Sequence, residues 1–309
     1  MTHEQAVDVV KRVRDEVSRV FVGKSEQVDI VLTAFLTGGH VLIEDVPGVG
    51  KTFLAKTIAQ CLGLEFNRIQ FTPDLLPSDV TGSSIFNQKT MEFEFRGGPV
   101  FADIILADEI NRATPRTQSS LLECMEERQV TVDGRTHPMS PHFFVLATEN
   151  PIELHGTFPL PEAQLDRFLM KVSLGYPTEQ EERTIVDRFA MGVARSSGAE
   201  PVTSAEEMAQ VKEVASRALL SAELTAYIAG VCRATRGFAG VELGASPRAT
   251  LSLSRAAKSY AFMQGRSYVI PDDVKKLAVP VLSHRLILKE TLALRGDSAA
   301  GVMRDVLEQ

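Results

Sequence analysis

The chain has 309 residues, 44% of them hydrophobic, with 33 Lys and Arg against 40 Asp and Glu for a formal net charge of −7. That length allows roughly two domains with cores of their own, and the acidic balance argues against nucleic acid as a partner, because phosphate contacts need clustered Lys and Arg. No apolar run approaches the ~20 residues of a membrane span, and Met1-Thr2-His3-Glu4 lacks the charged-then-apolar pattern of a signal peptide, so a soluble cytoplasmic protein is expected.

The first strong signal is the apolar run Val41-Leu42-Ile43, followed by Glu44-Asp45-Val46-Pro47-Gly48-Val49-Gly50-Lys51-Thr52 and an amphipathic segment ending near Leu62. This reads as a strand, a phosphate-binding loop and a helix. Such a loop turns backbone N–H groups toward phosphate at a helix N-terminus and adds a lysine and a hydroxyl for the terminal phosphates and Mg²⁺. The pattern G-x-x-x-x-G-K-[ST] is met except at its first position, which holds Asp45. Pro47, Gly48, Val49, Gly50, Lys51, Thr52 and Phe53 are the candidate contacts to a nucleoside triphosphate, with Thr52 also facing the metal.

Further apolar runs at 66–69, 103–106, 143–147 and 169–174 alternate with helical or loop-rich segments, which predicts a parallel α/β sheet. The run Ile104-Ile105-Leu106-Ala107 ends in Asp108-Glu109, about fifty residues after the loop. Asp108 is expected to hold Mg²⁺ through its water shell, and Glu109 to orient the water that attacks the γ-phosphate. Between these elements, Phe93-Glu94-Phe95-Arg96-Gly97-Gly98 alternates like a strand entering a turn, and Val130-Thr131-Val132-Asp133-Gly134-Arg135 carries an Asp-Gly hairpin signal.

Near Gly175-Tyr176-Pro177 the strand signals stop. A capping box at Ser204-x-x-Glu207 and a helix start at Ser246-Pro247 indicate a helical second domain, with Gly192 to Val202 as an inter-helix loop. Cys61, Cys124 and Cys232 have no Cys-x-x-Cys spacing and read as buried reduced thiols. His137 and His142, beside Pro138 and Pro141, read as turn decoration, and no structural metal is expected.

A phosphate-loop sheet followed by a helical domain resembles the AAA+ ATPases, and three further marks stand where that resemblance puts them. Phe143 to Asn150 is an apolar strand ending in a polar residue, similar to the first sensor, in which Asn150 would help position the attacking water. Leu160-Pro161-Glu162-Ala163-Gln164-Leu165-Asp166-Arg167-Phe168 makes Arg167 the candidate arginine finger that reaches into a neighbouring subunit. Ser246-Pro247-Arg248 resembles the second sensor, so Arg248 is expected to contact the γ-phosphate of its own subunit.

Longer strings resemble the MoxR family in particular. They are Gln70-Phe71-Thr72-Pro73-Asp74-Leu75-Leu76-Pro77-Ser78-Asp79, Asp108-Glu109-Ile110-Asn111-Arg112-Ala113, Gln118-Ser119-Ser120-Leu121-Leu122-Glu123 and Gly156 through Phe168. The resemblance covers most of residues 20–290, and Asp45 is typical of it, whereas Glu149 stands where glutamine is commoner.

It implies a parallel αβα sandwich over 1–176, with a helix-2 insert near 81–99 and a pre-sensor-1 hairpin near 129–139, followed by an all-α lid over 177–309. It further implies ATP and Mg²⁺ as cofactors and adenine near Val22 and Gly23. The working unit would be a homo-hexamer with chaperone-like work on client proteins, including metal-cofactor insertion and von Willebrand factor A domain partners. The two hairpins read either as elements that move with the nucleotide and touch the client or as rigid surface features. Gln118 and Glu123, on one helix, would position the site or the ring interface.

Two other readings keep the nucleotide. One is a magnesium-chelatase-like or DNA-processing motor, against which the acidic charge argues, and the other a nucleotide-gated scaffold with little turnover, against which Glu109 and Arg167 argue. A GTP switch lacks its guanine reader, because Asn87-Gln88-Lys89-Thr90 is not N-K-x-D.

Overall fold

The computed structural model describes residues 1–151, 156–190, 198–293 and 296–308. Two helices, α1 (His3–Val20) and α2 (Ser25–Thr37), precede the sheet. Then come β1 (Val41–Glu44), α3 (Lys51–Cys61), β2 (Phe66–Gln70) and the short α4 (Pro77–Thr81). A hairpin of β3 (Gly82–Asn87) and β4 (Glu92–Gly97) leads to β5 (Ile104–Asp108) and α5 (Pro115–Glu127). A second hairpin, β6 (Gln129–Val132) with β7 (Arg135–Pro138), leads to β8 (Phe144–Glu149), α6 (Glu162–Leu165) and β9 (Met170–Val172).

The five-stranded sheet runs β2-β5-β8-β1-β9 and every pairing in it is parallel. Alternation along β1, β5 and β8 buries both of their faces. Val41, Ile43, Ile104, Leu106, Phe144 and Leu146 join a core shared with α1, α2 and the helical region, while Leu42, Ile105, Ala107, Val145 and Ala147 join a second core packed by α5. Burial on both sides is why these strands read as continuous apolar runs rather than as half-polar ones.

Beyond β9 the described chain is helical: α7 (Glu179–Ala190), α8 (Ala205–Ser216), α9 (Ala222–Gly237), α10 (Pro247–Met263), α11 (Pro271–Leu282), α12 (Glu290–Ala293) and α13 (Ala299–Glu308). It also carries one two-stranded ribbon, β10 (Val241–Leu243) with β11 (Ile287–Leu288). Ser246 caps α10 by accepting from the Ala249 N–H, with Pro247 in the first turn, as the sequence predicts. At α8 only half of the expected capping box forms. Ser204 accepts from the Glu207 N–H, but the Glu207 carboxylate turns instead to the Thr203 hydroxyl and to Arg12 of α1. Of the loop expected from Gly192 to Val202, residues 192–197 lie outside the described residues.

Both predicted hairpins are present, and Asp133 and Gly134 take the positive φ angles of a tight hairpin turn. His137 corrects the expectation of turn decoration. It sits on β7 and stacks at 3.9 Å on Phe95 of β4, which joins the two hairpins through an aromatic contact. His142 is buried just ahead of β8. Cys61, Cys124 and Cys232 are free and buried, and burial pushes the Cys61 and Cys124 thiols up to about 12. No described helix is long and apolar enough to cross a membrane.

Candidate active site

The loop after β1 reverses direction at Gly48 (φ +88°) and Gly50 (φ +91°), angles that glycine adopts without the steric cost of a Cβ. Gly50 then opens α3, whose first turn has no side-chain cap, so the amides there face the loop with the positive end of the helix dipole behind them. Lys51, the first residue of α3, is buried and donates from Nζ to the Asp45 carbonyl at 2.7 Å. Burial lowers its pKa, and Asp108, Asp45 and Glu109 oppose that shift.

A cavity of about 420 Å³ is lined by Pro47, Gly48, Gly50, Lys51, Thr52, Phe53, Arg68, Asp108, Glu109 and Asn150. The structure thus gathers residues from the ends of β1, β5 and β8, the edge at which α/β folds hold ligands, together with Arg68 of β2. Asp108 accepts at Oδ1 from the Thr148 hydroxyl (2.6 Å) and at Oδ2 from Arg68 Nη2 (2.7 Å) and Nε (3.1 Å). Glu109 lies in the left-handed region (φ +57°), unusual for a residue with a side chain. Its N–H donates to Thr148 Oγ1 at 2.8 Å, and its Oε2 accepts from Gln70 Nε2 (2.8 Å) and Arg112 Nη1 (3.0 Å).

Magnesium fits this donor set. Asp108 and Thr52 bring a carboxylate and a hydroxyl to one cavity, and no group of three or more His, Cys, Asp or Glu suited to a metal exists among the described residues. Mg²⁺ prefers this sparse oxygen arrangement, keeping waters and substrate phosphates as its other ligands.

Val22 and Gly23 do not line the cavity. Gly23 packs against Glu181 of α7 so closely that a Cβ there would meet its Oε1 at 2.0 Å. The loop they belong to touches the site through Phe21, whose ring lies 6.2 Å from that of Phe53 and beside Gly50. Phe21, Arg68, Gln70, Arg112 and Thr148 escape sequence reasoning. Arg68 and Gln70 share a face of β2 by period two, but their use depends on β2 lying beside β5, where Gln70 pairs with Asp108.

Arg248 stands outside the Lys51 cavity in this structure. It does not approach Lys51 in its own chain: Nη2 is 2.9 Å from Glu126 Oε1 and Nη1 is 3.6 Å from Asp166 Oδ2. Arg167 is 3.2 Å from the other oxygen of Glu126. Both arginines line a different cavity of about 350 Å³, together with Gly38, Gly39 and His40, which precede β1, and Leu169, which precedes β9. That cavity opens where the strands start, the Lys51 cavity where they end. A four-residue strand separates the two edges by about 13 Å. The cause is the seating of α10 on α2, whose last residue, Thr37, accepts from Arg255 at its carbonyl.

Gln118 is fully buried and donates to the carbonyls of Ile110 (3.1 Å) and Phe158 (2.8 Å), holding the turn after the acidic pair. Glu123 lines a neighbouring cavity with Arg167 and Gln164.

A parallel sheet in this order, a phosphate loop after β1, an acidic pair after β5 and a helical lid place the molecule in the AAA+ class of P-loop proteins. The family model for the ATPase family associated with various cellular activities matches residues 40–170, and that for the AAA lid domain matches 233–305. The uncharacterized protein YeaC of Bacillus subtilis is 47% identical over 95% of this chain and 91% of its own length. Chaperone MoxR1 of Mycobacterium tuberculosis is 46% identical over 91% of this chain and 76% of its own. A crystal structure from Cytophaga hutchinsonii, described as that of a candidate ATPase, superposes with a TM-score of 0.92 at 39% identity, covering 99% of this chain and 95% of that one. The chain belongs to the MoxR family of AAA+ ATPases.

Proposed function

We propose that this protein hydrolyses ATP with Mg²⁺ at sites shared between copies of the chain, in a cytoplasmic homo-hexameric ring that remodels client proteins. Lys51 and the amides of residues 48–52 bind the β- and γ-phosphates. Thr52 and Asp108 would hold Mg²⁺, which would supply positive charge to offset that of the phosphates. Glu109 orients and polarises the attacking water, with Gln70 and Arg112 holding its Oε2, and Asn150 steadies the water from the end of β8. The adenine lies toward Val22 and Gly23.

One observation carries the shared-site reading: Arg167 and Arg248 stand together on Glu126 at the edge of the sheet opposite Lys51. An arginine there serves a phosphate only on another copy, and one supplied from outside raises turnover by about 10³–10⁵. Both arginines then act in trans, with Glu126 as their common anchor. The chaperone role draws on the relative named Chaperone MoxR1. Clients with von Willebrand factor A domains and metal-cofactor insertion follow from the family resemblance, as does the division into a core over 1–176 and a lid over 177–309.

The test is ATPase rate per molecule against protein concentration, with particle size followed by light scattering. Rate rises with assembly in the unmodified protein and stays at the monomer level in Arg167→Ala. A rate independent of concentration in both, with assembly observed, refutes the shared site.

A further inference from the structure

Asp45 occupies the position where the phosphate-loop pattern has its first glycine, yet the backbone there does not require glycine, because Asp45 is absent from the residues with positive φ. The residue is 7% exposed and its carboxylate is fully engaged. Oδ2 accepts from the backbone N–H groups of Leu174 (2.6 Å) and Gly175 (2.7 Å) and from the Ser173 hydroxyl (3.1 Å), while Oδ1 accepts from the Val46 N–H (2.9 Å). Its main chain is engaged as well: the carbonyl accepts from Lys51 Nζ (2.7 Å), and the N–H donates to the Glu149 carbonyl (3.1 Å). Charge-assisted bonds of this kind are about twice as strong as neutral ones.

Residues 173–175 are where the chain leaves β9 and turns, through Gly175 at φ +63°, toward α7 and the rest of the helical region. Asp45 therefore belongs to two networks at once, one centred on the phosphate-binding lysine and one on the exit from the sheet.

We propose that Asp45 is a positioning residue that couples the phosphate-binding loop to the exit segment 173–175, so that a displacement of Lys51 at the phosphates is felt where the helical region begins. The coupling runs through one rigid residue. The Lys51 ammonium pulls on the Asp45 carbonyl, and the Asp45 carboxylate holds the Leu174 and Gly175 amides. This rests on the nucleotide-binding reading given above, and it gives the departure from glycine a physical use.

The experiment follows hydrogen exchange of the Leu174 and Gly175 amides in the full chain, alone and with Mg²⁺ and a non-hydrolysable ATP analogue, alongside the analogue's Kd and the kcat and KM for ATP. In the unmodified protein the analogue changes exchange at these two amides. Asp45→Gly keeps the carbonyl that Lys51 uses but removes the carboxylate. Exchange at Leu174 and Gly175 rises about tenfold or more and no longer responds to the analogue. The loss falls on kcat rather than on Kd.

Asp45→Asn keeps an oxygen for those amides and loses the acceptor for Val46, so it restores the nucleotide response in part and serves as the test should the glycine variant fail to fold. An unmodified protein that binds the analogue without any change at 174 and 175, or a folded Asp45→Gly protein that still responds, overturns the proposal. Failure of the unmodified protein to bind the analogue instead overturns the nucleotide-binding reading.

Discussion

Replacing Glu149 by glutamine is expected to stabilise the protein in a pH-dependent way. Glu149 ends β8 directly beside Glu44 in the parallel register, and Lys171 sits 2.7 Å from Glu44. Burial, and then the Glu44 charge, push the Glu149 carboxyl from its ordinary 4.5 up to about 7, with Lys171 opposing. The folded protein thus keeps a proton that the unfolded chain has released once the pH passes 4.5, and stability falls as pH rises from there through about 7. At about 1.36 kcal/mol per pH unit, the full loss is roughly 3 kcal/mol, of which about 2 kcal/mol develops between pH 5 and pH 8.

Glutamine keeps the shape of the side chain and removes the ionisation. Urea unfolding of both proteins at pH 5 and pH 8 measures the difference. The gain from Glu149→Gln is expected to be larger at pH 8 by about 2 kcal/mol, and the unmodified protein to lose midpoint over that interval. An equal gain at both pH values would refute the assignment of a protonated carboxyl to this strand end.

Burial holds the His40 imidazole down at about 3, with Arg128 acting in the same direction. Stability linked to His40 is intact above its ordinary 6.5 and is lost as pH falls toward 3, so acid unfolding of His40→Gln should show a shallower slope than that of the unmodified protein. Lys51→Ala should abolish binding of a fluorescent ATP analogue while leaving circular dichroism unchanged. Glu109→Gln should bind ATP with normal affinity but turn over about 10²–10⁴ times more slowly, accumulating assembled particles. Normal turnover would remove Glu109 from the water. Gln118→Ala leaves the Ile110 and Phe158 carbonyls without their donor; it should cost about 1–3 kcal/mol in unfolding free energy and lower kcat more than it raises KM.

The centre of the sheet was legible because β1, β5 and β8 are buried on both faces, so that Val41 to Ile43, Ile104 to Ala107 and Phe144 to Ala147 stand out as apolar runs whatever packs on them. The phosphate loop and acidic pair were legible because their chemistry is local: each needs only a strand, a turn and a few residues at fixed spacing. What escaped depends on which elements become neighbours. Arg68 and Gln70 serve Asp108 and Glu109 only because β2 lies beside β5. The position of Arg248 follows from where α10 docks, not from its own helix start, which was read correctly. Glu207 left the expected capping box because Thr203 and Arg12 of a distant helix offered competing partners.

Mixing two impaired variants tests the shared site most directly. Glu109→Gln lacks the water-positioning carboxylate but keeps its arginines, and Arg167→Ala keeps the carboxylate but lacks the finger. In mixed assemblies an Arg167→Ala subunit beside a Glu109→Gln subunit receives the missing arginine, so the mixture should hydrolyse ATP far faster than the sum of the two proteins alone. A mixture that forms joint particles and remains as slow as its components would show that Arg167 does not complete a neighbour's site.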